Sequence, residues 1–236
     1  MPISINHVQK EDVREMFDDI APKYDFLNHF LSMGIDKRWR KRLRKEMAKN
    51  TPISIIDVAT GTGDLAFELS KIKEASIIGV DIAEKMLIIA KEKSQKKKLN
   101  DRVSFQLADG SELPFSDNSF DAASISFGIR NFENPQKGLE DILRVLKPGG
   151  YAYILEFGKP EKQPMKSFYK LYSSHILPFF GKLFSGHTKA YKYLPSSVKK
   201  FLFGDNFCEL MKTAGFEEAR FIKLTFGIVY LYIGKK

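Results

Sequence analysis

The sequence predicts an α/β fold: a mostly parallel sheet of seven strands, helices on both faces, and an antiparallel hairpin at the C-terminal end. Three observations lead there. From residue 53 to residue 157, short apolar runs alternate with segments of helical period, which implies βαβ units with right-handed crossovers. The first run leads straight into a glycine turn, in IIDVATGTGDLAFEL. After a break in that rhythm the chain returns to two β-like stretches, ARFIKLTF and IVYLYIG, with Gly227 between them.

The elements follow in order. Residues 11–50 read as helical, with Val13, Met16, Phe17 and Ile20 at helical spacing and Pro22 as an interruption. Within them KRWRKRLRKEMAK, Lys37 to Lys49, is a strongly basic helix. Next come strand ISIIDV, a helix from Asp64, strand SIIGVD and a helix from about Ala83 to Lys98. Strands VSFQLAD and FDAASISF follow, then a helix from Pro135 to Leu146, the turn KPGG and strand YAYILEF. Residues 158–205, rich in Phe, Tyr, Lys, Pro and Gly, interrupt the alternation as a helical insert. A helix over Phe207–Ala214 and the turn AGF lead into the closing hairpin.

At 236 residues the chain suits a single domain, residues 1–236, and its 43% hydrophobic residues can supply the core. A net charge of +9 suggests an anionic partner: nucleic acid, phosphate or a membrane face. Cys208 is the one cysteine, which excludes an intramolecular disulfide and any CxxC metal site and fits a reducing, cytoplasmic compartment. Residues 1–15 lack the apolar run of a secretory signal, and no stretch approaches the roughly 18 apolar residues of a spanning helix.

The glycine turn is where chemistry can first be read. Gly61, Gly63 and Ala66 satisfy the looser dinucleotide fingerprint GxGxx(G/A), and Asp81 ends the next strand where a ribose-binding acid belongs. By pattern alone this Rossmann-like turn could be an NAD site; no GK(S/T) follows, so it is not a Walker loop. Asp64, inside the turn, argues against a dinucleotide. A carboxylate a few ångströms from a pyrophosphate costs on the order of kcal/mol. S-adenosylmethionine (SAM) has no phosphate and carries an ammonium and a sulfonium cation, so it is the expected cofactor. Gly61 and Gly63 let the backbone approach its methionine portion, and Asp81 can accept from both ribose hydroxyls. Asp109 is placed to accept from the adenine amine, with Gly110 leaving room for the base. The plainer reading makes Asp64 and Asp81 helix N-caps, with Glu84 completing a DxxE box.

Longer stretches carry a family resemblance. FDDIAPKYDFLN, DVATGTGD, GVDIAEKML, LPFSDNSFD, SFGIRN, RVLKPGG, LEFGKP, YKYLPSSV and AGFEEARF span nearly the whole chain. They resemble class I SAM-dependent methyltransferases and, more closely, the ubiquinone/menaquinone biosynthesis C-methyltransferases. The first two loops are shared by many methyltransferases; FGIRN followed by LEFGKP and the Tyr-x-Tyr-Leu element is far more specific to the quinone family. The resemblance implies SAM contacts at Thr62, Asp81, Asp109, Gly110 and Ser126, and a lid formed by residues 1–50 over the cofactor. The family often has Asn-Ala where this chain has Asp109-Gly110, which leaves the details of the adenine contact open. The implied acceptor is a polyprenylated demethylmenaquinol, or in some members a methoxy-benzoquinol, methylated on a ring carbon.

Such a carbon is a poor nucleophile until a neighbouring hydroxyl loses its proton, so the quinol form is needed, with a group to steady the phenolate. Arg130, just beyond a strand's carboxyl end, suits that role better than the role of base, because its guanidinium stays protonated. Asn131 could orient the ring oxygen; Glu156 could be the base or could hold Arg130. Tyr24 is expected in the lid, beside Asp25 and Asn28, and Tyr191 or Tyr193 on the substrate side of the insert. His29, His175 and His187 are lone histidines, expected to be structural, and no His/Cys cluster suggests a metal. Aromatics interleaved with lysines in the insert suit a prenyl tail and anionic head groups, hence peripheral association at the inner face of the membrane. An RNA methyltransferase shares the fold and fits the charge, but the (N/D)PP(Y/F) motif of its amino-group enzymes is absent where SFGIRN stands. A non-catalytic SAM-binding scaffold and an NAD reductase are the remaining alternatives.

Overall fold

In a computed structural model, which describes residues 9–172, 174, 193 and 196–236, the seven expected strands form one sheet. Tyr191, His175 and His187 lie outside the described residues, as does much of the insert. Strands β1 (Ser54–Val58), β2 (Ser76–Asp81), β3 (Val103–Leu107), β4 (Phe120–Ser126), β5 (Leu146–Phe157), β6 (Glu218–Leu224) and β7 (Val229–Lys235) run in the order β3-β2-β1-β4-β5-β7-β6. The first five pair parallel, and β7 enters antiparallel between β5 and β6. The order reverses between β1 and β4, so the crevice for a ligand falls at their carboxyl ends.

The main helices among the described residues are α1 (Lys10–Leu31), α2 (Ile35–Met47), α3 (Asp64–Leu69), α4 (Glu84–Lys97), α5 (Pro135–Val145), α6 (Met165–Leu171) and α7 (Asp205–Thr213). Neighbouring strand residues feed opposite cores, as the pleat requires. Ile56, Ile125 and Ile154 pack with Ile142 of α5 and Met211 of α7. Ile55, Tyr153 and Leu231 pack on the other face with Leu43 of α2 and Leu87 of α4.

Two local expectations are corrected. Pro22 does not interrupt the first helix; it lies inside α1. An interior proline costs about 3 kcal/mol, but Ile20, Ala21 and Leu27 on the same helix bury against Ala83 and Met86, which holds it continuous. Asp18 of α1 also accepts from the Lys85 amide at 2.9 Å, capping α4 from outside because its own N-cap, Ala83, has no polar side chain. The KPGG turn, in turn, is absorbed into β5 as an irregularity, with pairing moving from Phe120–Leu146 to Ala122–Tyr151. Gly149 takes φ +76°, and a Cβ on Gly150 would lie 2.8 Å from the Lys147 carbonyl.

Asp57, near the end of β1, ties β1 to β4 and to the turn. Its carboxylate accepts from Thr60 Oγ1 and Ser124 Oγ, both at 2.6 Å, and the residue is 1% exposed. Burial pushes its carboxyl up to about 6, with those two hydrogen bonds opposing. The folded chain thus retains a proton that an unfolded aspartate releases near pH ~4. Its contribution to stability is full below that pH and is lost as pH rises through about 6, a swing of about 3 kcal/mol. Asp57→Asn is expected to remove this swing, so that urea titrations from pH ~4 to ~7 show the wild type losing stability relative to the variant. Parallel curves would contradict it.

Candidate active site

A cleft of about 1190 Å³ lies at the carboxyl ends of the strands. Gly61, Asp81, Asp109, Gly110, Ser126 and Asn131 line it, and Tyr24 of α1 reaches over it. The turn that follows β1 takes this shape because Gly61 and Gly63 adopt φ +56° and +85°, a region where a side chain would strain the backbone. Asp81 anchors the turn: one carboxylate oxygen accepts from the Gly61 amide at 2.8 Å, the other from the Ala83 amide at 2.9 Å. Burial pushes its carboxyl up, and those amides oppose the shift.

Asp109 accepts from the Ser111 amide at 2.8 Å and from Lys10 Nζ at 2.6 Å, so the start of α1 is latched onto it. Burial favours its protonation, but the Lys10 ammonium holds the carboxyl below the usual range. At Gly110 a Cβ would stand 2.4 Å from Phe132 Cζ and 2.8 Å from Val58 Cγ1. Gly110→Ala is therefore expected to weaken SAM binding at least tenfold by displacing the Phe132 ring, and Phe132→Leu in the same chain to restore most of it. Calorimetric titration of both variants checks this; no loss in the single variant would contradict it.

These residues fit SAM on one further ground. Ser126 Oγ is buried against the cleft with no hydrogen-bond partner, a donor left waiting for a ligand or a water. Asp81, beside the glycine turn, offers the remaining lone pairs of its carboxylate, and Asp109 the acceptor next to Gly110.

Thr62, Gly63 and Asp64 stand apart from this wall. Thr62 Oγ1 donates to Asp25 at 2.5 Å. Asp64 accepts from Lys93 Nζ at 2.6 Å and lies 3.4 Å from His29 Nε2 and 3.7 Å from Arg40. Burial would raise its carboxyl, but the Arg40 and Lys93 cations hold it low. The electrostatic case against a dinucleotide thus fails at Asp64, whose charge is already matched by cations behind the turn. It is not the N-cap either: Gly63 takes that position and Asp64 opens the helix. His29 is bonded through Nδ1 to Asp36 at 2.7 Å. His29, Asp36 and Asp64 converge, yet Arg40, 2.5 Å from Asp36, and Lys93 supply the positive charge there.

Just beyond the end of β4, Arg130 forms a buried ion pair with Glu156, Nη1 to Oε1 at 2.8 Å, with side chains 7% and 0% exposed. The same nitrogen donates to the Phe127 carbonyl at 2.5 Å, and the guanidinium lies 5.3 Å from the centre of the Phe157 ring. Arg130 Nε is buried without a partner. Burial pushes the Glu156 carboxyl up and Arg130 opposes it. Of the two roles open to Glu156, this geometry favours holding Arg130. The pair itself is off the cleft wall, which Phe127, Gly128 and Asn131 form. Asn131 Oδ1 accepts from Tyr193 at 3.0 Å, bringing the insert to the end of β4. Tyr24 packs edge-on to Phe17 and comes within 3.9 Å of where a Gly61 Cβ would be.

Several contributors were missing from the sequence reading: Lys10, Lys93, Arg40 and, on the far wall, Asn206, Glu209, Leu210 and Thr213 of α7. Lys93 lies one helical face away from the turn it serves, and only the strand order places α7 beside α5; neither leaves a local pattern.

Comparison with known proteins adds the following. The model of the ubiE/COQ5 methyltransferase family matches residues 5–236. The chain is 43% identical to the demethylmenaquinone methyltransferase of Bacteroides fragilis, over 100% of this chain and 96% of that one. It is 43% identical to the ubiquinone/menaquinone biosynthesis C-methyltransferase UbiE of Geobacter sulfurreducens, over 96% of this chain and 89% of that one. Among solved structures, a SAM-dependent methyltransferase of Thermotoga maritima, described as a possible histamine N-methyltransferase, aligns with TM-score 0.62 at 20% identity, over 94% and 99% of the two chains. A putative SAM-dependent methyltransferase of Methanococcus maripaludis aligns with TM-score 0.63 at 20% identity, over 100% and 97%. These two likenesses establish the fold.

Proposed function

The chain belongs to the ubiE/COQ5 methyltransferase family, and from that premise we propose that it is a SAM-dependent C-methyltransferase converting demethylmenaquinol to menaquinol. One observation carries the assignment to this site. Among the described residues, two buried side-chain polar atoms lack a hydrogen-bond partner, Ser126 Oγ and Arg130 Nε. Ser126 ends β4 and lines the cleft, and Arg130 follows four residues later, behind the wall that Phe127, Gly128 and Asn131 form.

SAM, when bound, supplies an electrophilic methyl group at its sulfonium. The chain's own residues do the rest. Asp81 and Asp109 hold the polar edges of the nucleoside, the Gly61 turn admits the methionine portion, and Ser126 supplies the free hydroxyl. Asn131, oriented by Tyr193, faces the acceptor oxygen. Arg130, fixed in place by Glu156, provides the positive charge that favours the phenolate over the phenol and so pushes electron density to the ring carbon. Tyr24 and α1 close the cleft and exclude water.

The acceptor's prenyl tail resides in lipid, and the association of the enzyme with the inner face of the membrane is peripheral in this reading. No helix among the described residues is long and apolar enough to cross a membrane. The reading is tested by incubating the protein with methyl-labelled SAM and chemically reduced demethylmenaquinone and identifying the product by mass. One labelled methyl on the naphthoquinol ring is expected. Label in a parallel tube of bulk RNA, with none in the quinol, would overturn it.

A further inference from the structure

We propose that the elbow between α1 and α2, together with the β6–β7 tip beside it, docks the protein onto an anionic lipid bilayer; this rests on the quinol reading above. Met33 at the elbow is 78% exposed and Phe226 at the tip 76%, the highest of the exposed large apolar side chains among the described residues. Both sit on left-handed backbone, at φ 51° and 57°, and Thr225 beside Phe226 is at 45°. Non-glycine residues avoid that region, so strain is retained here to point apolar side chains into solvent, and nothing within the described fold needs them there.

The two features are neighbours. Trp39, in the second turn of α2, donates to Thr225 Oγ1 at 2.8 Å, which fixes the tip against the elbow. On the last turns of α1, Phe26 and Phe30 stack at 5.8 Å and are 57% and 41% exposed.

Charge selects the partner. Some cations of α2 and of the turn after it are paired: Arg40 with Asp36, Arg42 and Lys49 with Glu46, Arg44 with Glu68. Lys37, Arg38, Lys41 and Lys45 are exposed on its outer face and make no ion pair with a described residue. Apolar tips bordered by unpaired basic side chains match a bilayer of anionic head groups over an apolar interior. The surface also lies near the site. The Trp39 ring centroid is 5.9 Å from that of Phe127, which lines the cleft, so docking there would bring the mouth close to the lipid phase that holds the acceptor.

Flotation with vesicles of phosphatidylethanolamine and phosphatidylglycerol tests the surface. Wild type is expected to float at low salt and to be released at high salt. Lys37→Glu with Lys41→Glu, and separately Met33→Ser with Phe226→Ser, should each lower the bound-to-free ratio about tenfold or more. Turnover on demethylmenaquinol embedded in the vesicles should fall in parallel, while turnover on a water-soluble, tail-less naphthoquinol is unchanged. Should the serine variant lose SAM affinity through misfolding, the charge variant, altered only on the solvent face of α2, carries the test. Vesicle binding equal to wild type in the folded variants overturns the proposal. So does a dimer that these substitutions break while lipid binding persists, which would give the surface to a second copy. A wild type that binds vesicles yet methylates neither quinol would overturn the acceptor assignment and leave the docking surface standing.

Discussion

Arg130→Ala is expected to lower kcat about a thousandfold while changing the SAM dissociation constant no more than a few-fold. The guanidinium is off the cleft wall, so losing it leaves the side chains that line the cleft in place and removes only the charge behind them. The substitution also orphans Glu156, which is fully buried. Breaking a buried pair by removing one partner costs about 3–5 kcal/mol, so folding must be separated from chemistry. Arg130→Ala combined with Glu156→Gln takes away the stranded charge; it should recover thermal stability without recovering turnover. Arg130→Lys keeps the charge but loses the planar fork that spans Glu156 and the Phe127 carbonyl. Its turnover should fall between those of the wild type and Arg130→Ala. Single-turnover rates beside SAM titrations decide the matter: equal loss of rate and affinity would make Arg130 a structural residue.

The second large effect is on binding. Asp81→Ala should weaken SAM binding about a hundredfold or more, since hydrogen bonds to a charged group contribute about 1.5–3 kcal/mol and the residue has two tasks. It presents lone pairs to the cleft, and it holds the Gly61 and Ala83 amides that shape the turn. Asp81→Asn keeps one acceptor and should lose less. An alanine variant that binds SAM like wild type would remove Asp81 from the site.

The layout of the sheet was legible because strand periodicity and turn chemistry are local. Seven strands and the closing hairpin follow from alternation and from Gly227. Failures came where a distant contact outweighed a local rule. Pro22 reads as a helix breaker, and the burial of Ile20 and Leu27 against α4 overrides it. KPGG reads as a turn, yet its residues stay in β5 through an irregular pairing with β4.

At the site, the sequence indicated that the first helix and the ends of β1 to β4 meet, but neither that α7 joins them nor which way each side chain points. Asp64 is the clearest case. SAM as the cofactor stands on the family, whereas the Asp64 carboxylate turns toward Lys93, Arg40 and His29. An acid opening a six-residue helix can face either side of the turn, and only partners tens of residues away decide. Glu156 shows the same limit: base or holder of Arg130 could not be chosen until both carboxylate oxygens were seen turned toward the arginine.

The most direct test of the site is a crystal structure with S-adenosylhomocysteine and a tail-less quinol. The ribose hydroxyls should bond to Asp81, the Ser126 hydroxyl should gain a partner in the cleft, and the quinol oxygen should lie within reach of Asn131. A nucleoside lodged away from Asp81, with the Ser126 hydroxyl still unpartnered, would contradict the placement of both substrates.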